Sequence, residues 1–257
     1  MHPDAAAYLE RIGAIAPPPP DLDTLRELQI RHLRTVPFEN LSIHLGEDIV
    51  LEDAAVVDKI VRRRRGGFCY ELNGAFAWLL RRLGFDVTLL AARVVGTGGA
   101  GPLFDHLTLR VDLDEPWLVD VGFGRFMDFP IRLDSRDEQI DPAGRYRVAE
   151  VEHGDLVVHE NDVPQIRAET RPRQLADFVP TCWYQRTSPL SHFTASPTCS
   201  RRTETGRITL SGRTLARTVG SEKRETALGS DAEVLAAYRE HFGIELDRLP
   251  RDPRESA

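Results

Sequence analysis

The chain has 257 residues, 41% apolar and 28% charged, with 33 basic against 40 acidic side chains and a net charge of −7. That is enough chain to bury a sizeable core, and the acidic balance argues against a nucleic-acid partner, whose phosphates demand a basic face. No apolar run approaches the ~20 residues of a membrane span, the first residues lack a basic-then-apolar secretory pattern, and Cys69, Cys182 and Cys199 are too few and too odd for a disulfide framework, so a cytoplasmic protein with reduced thiols is expected.

A first helix is expected over Ala5–Ile12, followed by a polyproline spacer at Pro17–Pro20. Asp21 and Asp23 can cap a helix from about Thr24 to Arg34, with Leu25, Leu28 and Leu33 inward and Pro37 after its end. A third helix takes Asp53 as its N-cap and turns Val56, Val57, Ile60 and Val61 inward. It ends in Arg62–Arg65, where cations suit the helix dipole, before Gly66-Gly67. The fourth runs from about Cys69 to Leu83, with Leu72, Phe76, Leu79, Leu80 and Leu83 at three- and four-residue spacing.

The character then changes. Phe85–Val95 reads as a strand, Gly96–Gly101 as a glycine-rich loop, and His106–Leu113 with Trp117–Phe123 as a hairpin. Further strands are expected at Arg145–Val151, Asp155–His159, Arg207–Leu210 and Thr214–Val219. A last helix opens on the capping box Ser230-x-x-Glu233 and stops at Gly243. Helices, then strands, then a mixed end argue for an α+β fold rather than an alternating parallel sheet.

Cys69 is the most informative residue. It opens the fourth helix, beside unpaired N–H groups at the positive end of the dipole, an environment that favours an anion. Residues 69, 72, 76, 80 and 83 share one face, so the sulfur points inward with the leucines. The plain alternative is a buried, inert thiol, which is also how Cys182 and Cys199 read. A nucleophilic thiol needs a base. Of the eight histidines, His106 stands on a strand whose alternation puts His106, Thr108 and Arg110 on one face. If the hairpin loop is Asp112-Leu113-Asp114, residue 111 pairs with 115 and His106 with Asp120, ~5 Å apart at Cβ. An aspartate facing a histidine fixes its tautomer and stabilises imidazolium. A surface ion pair would look the same, and a one-residue slip would separate the two. Asp105, adjacent on the strand, should face the other way. His192, beside Phe193, puts a titratable group near the same chemistry. Gly96–Gly101 lacks a following lysine and opens no helix, and no metal-ligand spacing appears.

Arg65–Asn73 (RGGFCYELN) resembles the signature of the arylamine N-acetyltransferases, and Val36–Asn40 (VPFEN) is similar to a second segment of that family. His106–Leu109, Val119–Gly124 and Ser188–Thr194 resemble its later blocks, in the same order, so that the likeness spans about Pro37 to Ser200. The resemblance implies an amino-terminal helical bundle (1–84), a central β-barrel (85–185) and a carboxy-terminal α/β lid (186–257), with a papain-like Cys-His-Asp site. It implies Cys69 as nucleophile, His106 as base and Asp120 as the orienting acid. Phe38, Phe123 and Phe193 would line the acceptor pocket, and Gly124 would lie where the donor approaches. The implied reaction is ping-pong N-acetylation of arylamines and arylhydrazines by acetyl-CoA, without a metal, with O-acetylation of N-hydroxyarylamines as an extension. An ansamycin-type amide synthase or a thiol hydrolase would use the same three residue types. Asp105 and His192 depart from the family's usual pattern, and the tail Asp247–Ala257 leaves the completeness of the lid open.

Overall fold

The computed structural model describes residues 2–14, 19–96 and 98–255. Pro17 and Pro18 of the expected spacer, and Thr97 of the glycine-rich loop, lie outside the described residues. The first part is helical: α1 (Pro3–Arg11), α2 (Leu22–Thr35), α3 (Leu41–Leu45), α4 (Asp53–Val61) and α5 (Cys69–Arg82). Asp21 caps α2 by accepting the Thr24 N–H at 2.9 Å, as its position predicts. Glu52, not Asp53, occupies the N-cap position of α4. Helix α5 is buried along nearly its whole length, from Cys69 through Leu80. It is the central helix, and burial on all sides explains why it carries so few exposed polar residues.

A long antiparallel sheet follows: β2 (Asp86–Gly96), β4 (His106–Asp112), β5 (Pro116–Val119), β6 (Ile131–Arg132), β7 (Gln139–Asp141), β8 (Gly144–Glu150), β9 (Leu156–Glu160) and β10 (Val163–Arg173). Its order is β6-β5-β4-β2-β10-β9-β8-β7, with the short β3 (Gly99–Ala100) folding the glycine-rich loop back onto β2. The two edge strands are bridged by side chains. The Gln139 amide accepts from the Arg132 N–H at 2.6 Å and donates to the Arg132 carbonyl at 2.9 Å. Asp141 accepts from the N–H groups of Asp128 and Phe129 at 3.0 and 2.9 Å. These bonds replace a missing ladder and nearly close the barrel, which suppresses the open edges.

The hairpin expected at His106–Phe123 exists, with a different register. Val111 pairs with Trp117 rather than with residue 115, and the ladder ends at Leu109–Val119. The slip is two residues, so side-chain parity survives and Asp120 still projects from the face that carries His106. Their contact is therefore diagonal, with Asp120 just beyond the strand end.

The smaller sheet runs β1-β11-β12-β13-β14, built from β11 (Thr198–Arg202), β12 (Gly206–Ser211), β13 (Thr214–Val219) and β14 (Glu222–Ala227), with β1 (Phe38–Glu39) as its edge. Two more helices complete the α+β fold: α6 (Val179–Thr187) after β10, and α7 (Asp231–Phe242), which carries the Ser230–Glu233 capping box and ends on Gly243. The tail is fastened back onto α3: the Arg251 N–H donates to the His44 carbonyl and the His44 ring bonds the Arg251 carbonyl, both at 2.9 Å. Three packed cores follow this order. The first joins α1, α2, α4 and α5 to β2 and β4 through residues such as Tyr8, Ile60, Phe76 and Leu109. The second fills the barrel around Phe126, Tyr146 and Ile166, and the third lies between the smaller sheet, α7 and α3. No helix among the described residues is long and apolar enough to cross a membrane.

Candidate functional site

Cys69 is the first residue of α5 and is 3% exposed. Its turn is anchored from below by buried charge. Glu71 accepts the Phe68 N–H at 3.3 Å and pairs with Lys59 at 2.6 Å, while Arg65 pairs with Glu39 at 3.0 Å and with Glu47 at 3.1 Å. Burial alone would raise the Glu39 carboxyl, but Arg65 and Lys59 hold it down to about 2. The sequence reads Arg62–Arg65 as a helix end whose cations suit the dipole. Arg65 is instead 4% exposed, because the chain turns it inward against the carboxylates of two preceding segments.

His106 Nε2 and Asp120 Oδ2 lie 2.6 Å apart, both side chains almost fully buried. Burial opposes charge on the imidazole. The Asp120 carboxylate outweighs it, with the Cys69 thiol adding, and pushes the His106 pKa up to about 10. For Asp120, burial raises the pKa, but His106, Asn73 and Gly122 together bring it below the ordinary carboxylate value. Asn73 organises this corner: Nδ2 donates to the Leu107 carbonyl at 2.6 Å and to Asp120 Oδ1 at 3.0 Å, while Oδ1 accepts the Val121 N–H at 2.9 Å. One side chain on the helix that Cys69 opens thus fixes both the His106 strand and the Asp120 loop. Residue 122 must be glycine, since a Cβ there would lie 2.7 Å from the Cys69 Cα.

Cys69 and His106 open into a cavity of about 310 Å³ that Phe38, Phe123 and Phe193 also line. Phe193 lies edge-on to Phe68, with ring centroids 5.3 Å apart, and Phe123 meets His106 edge-on, also at 5.3 Å. Phe193 is held from the amino-terminal half: Asn40 Nδ2 donates to the Phe193 carbonyl at 2.8 Å, and its Oδ1 accepts the Thr198 N–H at 2.7 Å. Gly124 has φ +87 and faces the Phe38 ring, so its backbone passes the pocket wall without a side chain. Asp105 departs from expectation. It precedes β4, follows Phe104 at φ 61, and lines the cavity instead of facing away. His192 also lines it, stacked on Phe193 at 3.9 Å, with burial lowering its pKa and Asp105 opposing that. Cys182 and Cys199 are buried, and burial pushes both thiols up, as befits inert cysteines. Asn40, Asn73 and Gln185 were not singled out from sequence. Their local context gave no sign that each amide would reach across to a distant segment.

A family model described as N-acetyltransferase matches residues 21–250. An arylamine N-acetyltransferase of Mycolicibacterium smegmatis is 37% identical over 97% of this chain and 94% of its own. The chain belongs to the arylamine N-acetyltransferase family. The structure of the Mycobacterium marinum arylamine N-acetyltransferase in complex with CoA matches at a TM-score of 0.85 and 33% identity, covering 93% of this chain and 92% of that one. The Salmonella typhimurium arylamine N-acetyltransferase matches at a TM-score of 0.89 and 28% identity, covering all of this chain and 96% of its own. The family's enzymatic activity therefore belongs on this fold.

Proposed function

We propose that the protein transfers an acetyl group from acetyl-CoA to aromatic amines and hydrazines through acetyl-Cys69. The reading rests above all on one arrangement: a helix-capping cysteine beside a buried His106–Asp120 pair, opening into a cavity walled by phenylalanines. His106 takes the thiol proton before acylation, with Asp120 stabilising the imidazolium and holding the ring so that Nδ1 is the nitrogen left for that task, and the resulting Cys69 thiolate attacks the thioester carbonyl. The bond to the CoA sulfur breaks and His106 returns the proton to it. A neutral amine then attacks acetyl-Cys69, His106 removes the proton lost from nitrogen, and the Cys69 sulfur leaves and is reprotonated. Thioester exchange is nearly thermoneutral, and amide formation draws the cycle forward.

Two features support the donor and acceptor classes. The groove between the barrel and the smaller sheet is lined by Arg125, Arg202 and Arg207, cations suited to phosphates, with Arg202 already paired to Asp128 and Glu160 sharing the lining. A cavity of about 310 Å³ lies at the small end of ligand pockets and suits a single-ring acceptor better than a macrolactam precursor. Intact-protein mass after brief mixing with acetyl-CoA tests the reading. Gain of one acetyl unit on Cys69, discharged by an arylamine and only slowly by water, is the expected result. Rapid iodoacetamide labelling of Cys69 without acetylation would overturn the donor, and fast discharge by water would overturn the transfer.

A further inference from the structure

We propose that Asp105 selects the acceptor by charge, favouring aromatic amines and hydrazines whose distal substituent is cationic or donates a hydrogen bond over those that carry an acid. The proposal rests on the acetyl-transfer reading above and concerns its second half-reaction.

The cavity is mainly aromatic, and among the described residues that line it there is no lysine or arginine. Its polar lining includes Asp105, His106 and His192. His106 is committed to Asp120 at 2.6 Å. His192 is kept toward its neutral form by burial. Asp105 is therefore the side chain whose charge a bound acceptor meets, and it is built in rather than free to swing away. Its main-chain carbonyl accepts from the Tyr70 hydroxyl at 3.1 Å and lies 3.9 Å from Cys69 Sγ. Its carboxylate accepts from Gln185 Nε2 at 2.5 Å, a bond that favours the anion against the burial that raises its pKa.

The hydrogen bonds continue through the pocket wall. Gln185 Oε1 accepts from the Ser191 hydroxyl at 2.5 Å, and Ser191 Oγ accepts the Phe193 N–H at 3.2 Å. Gln185 and Ser191 are 3% and 5% exposed. One buried relay thus ties the carboxylate beside the catalytic strand to the aromatic wall, so that Asp105 and Phe193 keep a fixed relation. An acceptor carboxylate entering this space loses water, finds no lysine or arginine and only an imidazolium already paired with Asp120, and meets a like charge in Asp105, which makes its binding costly. A cationic or N–H-bearing substituent meets an acceptor instead.

The test uses three acceptors of one shape: 4-aminobenzamidine, 4-aminobenzamide and 4-aminobenzoate, with acetyl-CoA as donor. In ping-pong kinetics kcat/KM for the acceptor reports only the step from acetyl-enzyme, so the first half-reaction drops out. For the native protein KM should rise in the order amidine, amide, acid, with at least about a tenfold gap between amide and acid. Asp105→Asn keeps the side-chain shape and an oxygen for Gln185, and should shrink the amide-to-acid ratio of kcat/KM by about tenfold. That double ratio cancels intrinsic amine reactivity and any effect on His106 shared by both acceptors. Equal KM values in the native protein, or an unchanged ratio in Asp105→Asn, would overturn the proposal. Failure of the native protein to acetylate any of the three would instead sink the acetyl-transfer reading. Should Asp105→Asn not fold, the KM order in the native protein decides the matter alone.

Discussion

Gly122→Ala tests whether the loop after Asp120 is held against the Cys69 helix as closely as the structure has it. The added methyl would lie 2.7 Å from the Cys69 Cα, 2.7 Å from Asn73 Nδ2 and 3.0 Å from the Cys69 carbonyl oxygen. Carbon contacts settle near 3.5–4.0 Å, so loop and helix must part by roughly 0.8 Å. Neither neighbour yields easily. One is main chain, and the other is locked at 2.6 Å to the Leu107 carbonyl and at 3.0 Å to Asp120. The loop therefore moves, and it takes with it Asp120, whose Oδ1 accepts the Gly122 N–H at 2.8 Å. Overpacking of this kind costs about 1–3 kcal/mol, which for a chain of this size lowers Tm by about 2–12 °C. A displacement near 1 Å at reacting groups costs on the order of 10²-fold in rate. Activity should thus fall far more than stability. Initial rates with saturating donor, beside a thermal melt, measure both. An alanine variant within about threefold of native kcat/KM would show that the close approach has no bearing on catalysis.

Asp120→Asn is expected to lose about 10³–10⁴ in rate with little loss of Tm. Asn73 and Gly122 both donate to Oδ1, so the new NH2 must face His106 Nε2 and force the ring into the tautomer that cannot accept the thiol proton; a melt that collapses while residual activity stays high would contradict this. Stability should fall in acid through His32, which burial, helped by Arg11, lowers to about 3. The unfolded chain binds a proton that the folded one refuses, so about 1.4 kcal/mol is lost per pH unit below ~6.5, and urea midpoints for His32→Gln should lack that slope. At the alkaline end the sign reverses: the contribution of His106, raised to about 10, is complete below ~6.5 and is lost as pH climbs through 10. Lys59→Met strands the buried Glu71 carboxylate and should cost about 3–5 kcal/mol. The double variant with Glu71→Gln should recover most of it, because a carbonyl there can still accept the Phe68 N–H.

What was legible in the sequence was whatever a local period or cap encodes. Helix α5 and its cysteine, the Asp21 and Ser230 caps, and the shared face of His106 and Asp120 all follow from spacing within a few residues. Parity protected the last of these: the hairpin register was off by two, yet a shift of two returns every side chain to its own face. Strand β10 was invisible for the opposite reason. Pro164 and Pro172 and its run of charges break the alternation, and the strand absorbs both prolines at irregularities in its pairing. Strand β11 went unread although it pairs with β12 over five residues; only its other edge, against the two residues of β1, is contributed from far upstream. Asp105 was misjudged because β4 begins one residue after it, and a positive φ at Phe104 resets the direction of the chain.

The three amides that sequence reading passed over share a property that bears on how the site works. Each joins segments far apart in the chain. Asn40 binds Phe193, Ser196 and Thr198; Asn73 binds Leu107, Asp120 and Val121; Gln185 binds Asp105 and Ser191. All three are neutral amides, able to donate and accept at once without the desolvation cost of a charge. The site is therefore reached only when the helical part, the barrel and the smaller sheet have packed together, since β1 itself is the edge strand of that last sheet. A lesion in the small sheet that loosened β11 would displace Phe193 and Thr198 from Asn40 while leaving Cys69, His106 and Asp120 on their own shared core. On the proposed mechanism, acceptor binding should then suffer before acylation of Cys69 does, because Cys69, His106 and Asp120 and the phenylalanine wall are supported by different parts of the chain.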